Sequence, residues 1–277
     1  KKILKRMREY GIEPVLPGYC GMVPHNAKEK LGLNVSDPGT WCGYRRPAFL
    51  QPSDPRFEEI SSLYYKELEK LYGKANFYSM DPFHEGGNTA GVDLDAAGKA
   101  VMKAMKKANP KAVWVAQAWQ ANPRPKMIEN LKAGDLLILD LTSECRPQWG
   151  DSTSEWYRKN GYGQHDWIYC MLLNYGGNVG LHGKMDNVID NFYLAKADPH
   201  ASATLKGVGM TPEGIENNPV MYELVMELPW RPDRFTKEEW LKEYVKARYG
   251  VDDPVVQAAW TNLANSIYNS PKNLTQQ

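Results

Sequence analysis

No stretch of this 277-residue chain stays apolar for the ~20 positions a membrane-spanning helix needs, so the sequence predicts no membrane partner. Neither sign of charge is in excess. The 34 basic and 33 acidic residues leave a formal +1, too little for electrostatic recognition of nucleic acid. Cysteine is scarce. Cys20, Cys42, Cys145 and Cys170 show no CxxC and no Cys/His ligand spacing. A chain this long does not need disulfides, so they leave the redox compartment open. No glycine-rich phosphate turn follows any apolar run and no Gly-x-Ser-x-Gly elbow occurs, which argues against a dinucleotide-binding sheet and a serine hydrolase. Internal repeats beyond a βα unit and low-complexity segments are missing too. No secretory leader is visible, and the chain opens inside a helical pattern at Lys1, so upstream sequence is expected.

What is present is apolar substance, 42% of the residues, enough for a full core. Nine Trp and sixteen Tyr are many, and several stand in Gly/Pro-rich segments. Flat rings in loops suit the C–H faces of sugars, although most of these aromatics are expected in the core, and for any single one that is the favoured reading. Ile3, Leu4, Met7 and Tyr10 lie on one helical face that stops at Gly11. The run Glu13–Gly18 reads as a buried strand. A helix from Ser53 or Asp54 to Gly73 turns Phe57, Ile60, Tyr64, Leu68 and Leu71 inward. Further strands are expected at Asn76–Asp81, Ala112–Gln117, Asp135–Leu141, Asp166–Leu173 and Leu205–Met210. Helices are expected from an Asp93 cap through Met105 and at Lys126–Leu131. Beyond Thr236 only helices follow, at Thr236–Tyr249 and Pro254–Tyr268. Lys103, Lys106 and Lys107 read as a solvated helix face. The segments Tyr19–Pro52 and Thr142–His165 show no structure of their own, and loops that long are usually functional.

Apolar runs alternating with amphipathic helices mean parallel strands covered by helices. The expected fold is α/β, a (β/α)8 barrel of the TIM type lacking its first βα units, over residues 1–230. Residues 231–277 begin an all-helical domain. The six strand runs fall short of eight, so about two βα units and the remainder of the same polypeptide are needed to complete the barrel.

Two carboxylates stand where such barrels place chemistry, just after strands. Glu85 lies in Asp81-Pro-Phe-His-Glu-Gly-Gly87 and Glu213 in Gly207-Val-Gly-Met-Thr-Pro-Glu-Gly-Ile215. Glycoside hydrolysis asks for such a pair, one a proton donor and one ionised. The bland alternatives are a surface loop acid for Glu85 and a first-turn helix acid for Glu213. Glu144 follows another strand as a third candidate. Asp81 and Asp140 end strands and can orient other groups. His84 has no second ligand at metal spacing, so it is expected to hydrogen-bond substrate or Glu85; no metal and no cofactor are implied.

Taken together, Pro14–Pro17, Gly39-Thr-Trp41, Asp81–Glu85, Ala112–Trp119, Leu136–Leu141, Cys170–Asn178, Gly207–Ile215 and Ala247–Gly250 resemble the α-N-acetylglucosaminidase family, whose mammalian member is the lysosomal enzyme of heparan sulfate degradation. The resemblance covers nearly the whole chain. It implies a small amino-terminal domain, a β/α barrel and an all-helical carboxyl-terminal domain. By position it makes Glu85 the acid/base and Glu213 the nucleophile, and it places Trp41, Trp119, Asn174 and Tyr175 on the pocket wall. His84 departs from the mammalian pattern, which has Asn there.

The resemblance implies a glycan partner with terminal α-linked N-acetylglucosamine. In such a glycoside the 2-acetamido group shares the face of the leaving oxygen and has no line of attack from behind. Double displacement then requires an enzyme carboxylate, with retention of configuration. The rivals are another barrel glycosidase, possibly inverting, and a non-catalytic carbohydrate-binding protein that would keep the aromatics without needing Glu213. The expected location is secreted, periplasmic or cell-surface in a bacterium, lysosomal in an animal.

Overall fold

A computed structural model describes residues 1–173, 180–214 and 218–269. The chain divides into two compact units. One is residues 1–138 with 164–166, the other 139–163 with 167–277.

The first unit opens with helix α1 (Lys2–Glu9) and strand β1 (Val15–Pro17). α1 exists where the apolar spacing put it, but none of its residues is buried, and in β1 only Leu16 is. The expected buried strand is therefore half exposed here, with Val15 facing out. The stretch 19–52 is not structureless, contrary to expectation. It holds β2 (Met22–Val23), α2 (Ala27–Leu31), β3 (Val35–Ser36), β4 (Thr40–Trp41), β5 (Tyr44–Arg45) and β6 (Ala48–Leu50). Strands β2, β6 and β3 form a small antiparallel sheet, and β4 and β5 a hairpin. Strands of two or three residues carry too little periodicity to be seen in sequence.

Helix α3 (Phe57–Tyr72) stops at Gly73, whose φ of +84° suits glycine. Its buried residues are Phe57, Ser61 and Tyr65 rather than the expected set, and Leu71 is exposed. The unit continues with β7 (Phe77–Ser79), α4 (Leu94–Ala108), β8 (Val113–Ala118), α5 (Pro125–Ile128) and the first residues of β9 (Leu136–Asp140). Asp93 caps α4 as predicted, accepting the Ala96 N–H at 3.0 Å. β1 runs parallel to β7, Val15 opposite Phe77, and β7 parallel to β8, Phe77 opposite Val113. The core between α4 and these strands is Ala97, Val101, Met105, Trp114 and Ala116, each at most 1% exposed. Trp114 satisfies its indole N–H on the Met80 carbonyl, at 2.9 Å.

The second unit contains the end of β9, then β10 (Asp166–Met171), α6 (Met185–Ala197), α7 (Pro199–Ser202), β11 (Leu205–Met210) and α8 (Pro219–Glu227). It ends in α9 (Lys237–Tyr249) and α10 (Pro254–Ala264). β10 and β11 pair in parallel, Tyr169 opposite Val208. The sequence pattern missed α6 and α8, although Met185, Val188, Ile189 and Phe192 in α6 and Val220, Met221, Leu224 and Val225 in α8 are buried at helical spacing. α9 starts on a full capping box, Thr236 with Glu239. Trp167, Tyr169, Val188, Leu224 and Trp240 make the core of this unit.

Candidate active site

The segment that follows β7 carries Asp81, Phe83, His84 and Glu85, and its backbone is unusual. Phe83 and Glu85 hold φ of +61° and +48°, a left-handed region that costs a side-chain-bearing residue about 1–2 kcal/mol. Packing holds them there. The Phe83 ring lies 4.6 Å from that of Phe49 in β6, so the small antiparallel sheet serves as the anvil for the turn. Gly87 has no alternative: a Cβ there would stand 2.6 Å from Phe83 Cα. Arg46 reaches across to donate to the Glu85 carbonyl oxygen at 2.7 Å.

The result is a carboxylate with each oxygen held by a tryptophan. The indole N–H of Trp119, just beyond β8, donates to Glu85 Oε1 at 2.9 Å. The indole N–H of Trp41, on the β4–β5 hairpin, donates to Oε2. Each carboxylate oxygen offers two lone-pair directions, so both indoles together still leave room for a proton or a substrate hydrogen bond. Glu85 itself is part-exposed, Trp119 is part-exposed and Trp41 is 50% exposed, so none of the three is core filler.

His84 points its Nδ1 at the Asn122 amide nitrogen, 3.1 Å away. An amide NH₂ only donates, so Nδ1 accepts and the ring proton sits on Nε2. Burial pushes the His84 pKa below its ordinary value, only partly countered by the charge of Glu85, and so favours that neutral form. Asp81 accepts the Gln117 N–H at 2.8 Å, and burial lifts its pKa to about 7. It borders a cavity of about 370 Å³ at the carboxyl ends of β1 and β7, shared with Tyr19, Cys20, Arg46, Phe49 and Tyr64. Asn122 and Arg46 escaped the sequence reading. Asn122 stood in a strand-end loop where it could have been noticed; Arg46 had no local signal.

In the second unit Glu213 follows β11 and is exposed, its N–H donating to the Leu173 carbonyl at 3.2 Å. Glu144, the third acid, is only 1% exposed, and burial raises its pKa well above the ordinary range. It is an interior acid, not exposed to solvent. Asp140 is also fully buried, with a pKa lifted to about 7. Asn174 and Tyr175 lie outside the described residues. Among the described residues no group of three or more His, Cys, Asp or Glu could hold a metal ion, and no helix is long and apolar enough to cross a membrane.

Residues 1–232 match the family model of the α-N-acetylglucosaminidase TIM-barrel domain, and residues 240–277 that of its carboxyl-terminal domain. The chain belongs to the α-N-acetylglucosaminidase family. Human α-N-acetylglucosaminidase is 35% identical over 97% of this chain. A family 89 glycoside hydrolase from Clostridium perfringens, solved with PUGNAc, superposes with a TM-score of 0.85 at 32% identity over 99% of the chain. A variant of the Clostridium protein with two glutamates changed to glutamine, solved in complex with its substrate GlcNAc-α-1,4-galactose, gives 0.83 at 32% identity over 98%. The chain spans 37% of the human protein and about 30% of the solved ones. Membership fits the α/β architecture and the helical carboxyl-terminal part.

Proposed function

We propose that the protein carrying this chain is a retaining exo-glycosidase that removes terminal α-linked N-acetylglucosamine from glycans. The observation that carries the reading is Glu85, held by the Trp41 and Trp119 N–H groups at the carboxyl end of a parallel strand. A carboxylate gripped at both oxygens has its direction fixed, which is what proton transfer to one glycosidic oxygen requires.

In this reading Glu85 protonates the leaving oxygen and then deprotonates the incoming water. Glu213 attacks the anomeric carbon from the opposite face and forms the β-glycosyl-enzyme. His84, neutral with its proton on Nε2, donates to a substrate hydroxyl or carbonyl. Trp41, Trp119, Asn174 and Tyr175 wall the sugar pocket. Two carboxylates complete the chemistry without a cofactor. The substrate named for the Clostridium relative, GlcNAc-α-1,4-galactose, and its paired glutamate changes support both the linkage and the use of two glutamates.

The remainder of the polypeptide is proposed to complete the barrel, with a boundary to the helical domain near residue 230. A secreted, periplasmic, cell-surface or lysosomal setting follows from a glycan substrate.

Hydrolysis of an aryl α-N-acetylglucosaminide by the full-length protein tests the proposal. Glu213→Gln should abolish turnover and leave sugar binding measurable. Glu85→Ala should spare glycosides with very good leaving groups in the first step. Equal loss on activated and unactivated substrates would remove Glu85 from the acid role. Activity surviving in Glu213→Gln would remove the nucleophile.

A further inference from the structure

The β4–β5 hairpin carries Trp41, yet its ladder is only two residues long, Thr40 opposite Arg45 and Trp41 opposite Tyr44. So short a pair has little stability of its own, and something outside it must fix where Trp41 points. Arg46, the residue that leaves the hairpin, bonds both to the hairpin and to the Glu85 turn. Its backbone N–H donates to the Gly39 carbonyl at 2.9 Å and closes the base of the hairpin. Its Nε–H donates to the Thr40 carbonyl at 3.2 Å, and an Nη2–H to the Glu85 carbonyl at 2.7 Å.

The two side-chain donors belong to one rigid plane. A guanidinium holds its N–H groups at fixed angles, so a single group sets the carbonyl before Trp41 and the carbonyl of Glu85 in register. The second carbonyl is where control is needed. Glu85 and Gly86 hold φ of +48° and +78°, successive left-handed residues, and the peptide plane between them carries the Glu85 carbonyl. Anchoring that plane offsets the strain of a side-chain-bearing residue in this region and keeps the turn from relaxing. A second strap, from the Asn88 N–H to the Pro38 carbonyl at 2.9 Å, joins the same two segments three residues away from Glu85 and from Trp41. Arg46 alone therefore ties them at the acid itself.

We propose that Arg46 is a positioning residue for the acid/base. By tying the Thr40 and Glu85 carbonyls to one guanidinium, it aims the Glu85 carboxyl at the glycosidic oxygen and keeps the Trp41 N–H on that carboxyl. The inference rests on the reading of Glu85 as the acid. Arg46 acts through a backbone carbonyl, at the opposite end of the residue from the carboxylate, and touches no reacting atom. Proton transfer is steep in geometry, so a turn that is free to shift loses rate where a proton must move and little where none must. An unbranched side chain without the N–H groups keeps most of the packing and removes the tie.

The test compares two substrates in the full-length protein. The sugar leaving GlcNAc-α-1,4-galactose needs protonation, and the phenolate leaving dinitrophenyl α-N-acetylglucosaminide needs little. Arg46→Met should lower kcat/KM on the disaccharide by about ten- to hundredfold, chiefly through kcat, and on the dinitrophenyl glycoside by less than about threefold. A merely structural role would reduce the folded enzyme and leave the ratio of the two values in place, so equal loss on both substrates, or no loss, overturns the proposal. Arg46→Lys keeps the charge without the planar fork and should lose most of the same ratio; a wild-type ratio there overturns the tie. In a Glu85→Ala background Arg46→Met should lower the ratio no further, whereas a full additional drop would show that Arg46 acts apart from Glu85. Equal loss on both substrates in Glu85→Ala alone overturns the acid reading, and the proposal with it.

Discussion

At the scale of single residues, burial and hydrogen bonding decide which acids can work. Glu85 is part-exposed and gripped by two indoles, whereas Glu144 is buried and burial raises its pKa. Removing one grip should therefore be costly. Trp119→Phe keeps the ring and deletes the N–H. A hydrogen bond to a charged group is worth about 1.5–3 kcal/mol, so kcat/KM should fall by roughly tenfold or more. An unchanged kcat/KM would show that the indole N–H does not position Glu85 for the chemistry. Asp81 makes a different prediction. Burial raises its pKa to about 7, above the usual carboxylate value of 3.8. The folded form then holds a proton that the unfolded chain has lost, so stability falls as pH rises from about 4 to 7 and levels off above. Asp140 acts in the same direction, its pKa also lifted to about 7. Asp81→Asn should flatten part of that slope in denaturant titrations at pH 4, 5.5 and 7.

At the scale of elements, close approach and caps set the energies. In α4 a Cβ on Gly98 would stand 1.9 Å from the Met127 carbonyl oxygen, so α5 rests on the bare backbone of α4. Gly98→Ala gains about 1 kcal/mol of helix propensity in isolation, yet it must push the two helices apart. The expected net effect is a loss of roughly 1–3 kcal/mol, read as a lower denaturation midpoint. An increase would mean that α5 yields freely. The capping box of α9 gives a cleaner measurement. Thr236 accepts the Glu239 N–H at 3.2 Å, and Glu239 accepts the Thr236 N–H at 2.8 Å. Thr236→Ala should cost about 1 kcal/mol. The hairpin and the β2–β6–β3 sheet belong to this scale too. They are short, and their stability comes from what they touch rather than from their own ladders.

At the scale of the whole molecule, the stereochemistry of hydrolysis follows from how two strand-end glutamates are spaced. A retaining pair stands ~5–5.5 Å apart and an inverting pair ~6.5–9.5 Å. Proton NMR of the first sugar released by the full-length protein should show the α-anomer, and an initial β-anomer would exclude the double displacement. The sequence by itself determined the alternation of parallel strands and helices, because continuous apolar runs and 3.6-residue periods are local properties. It also marked Glu85 and Glu213, since glycine-rich segments after strands are read along the chain. It did not reveal the strands of residues 19–52, α6 and α8, or the buried face of α3, which turned out to be Ser61 and Tyr65 rather than Leu71. Tertiary structure alone decided that Trp41, 44 residues before Glu85, and Trp119, 34 after it, meet on the two oxygens of one carboxylate. It also decided that Asp81 keeps its proton near neutral pH while Glu85 stays open to solvent. Partner and burial are both set by atoms remote in sequence, so no window along the chain contains them.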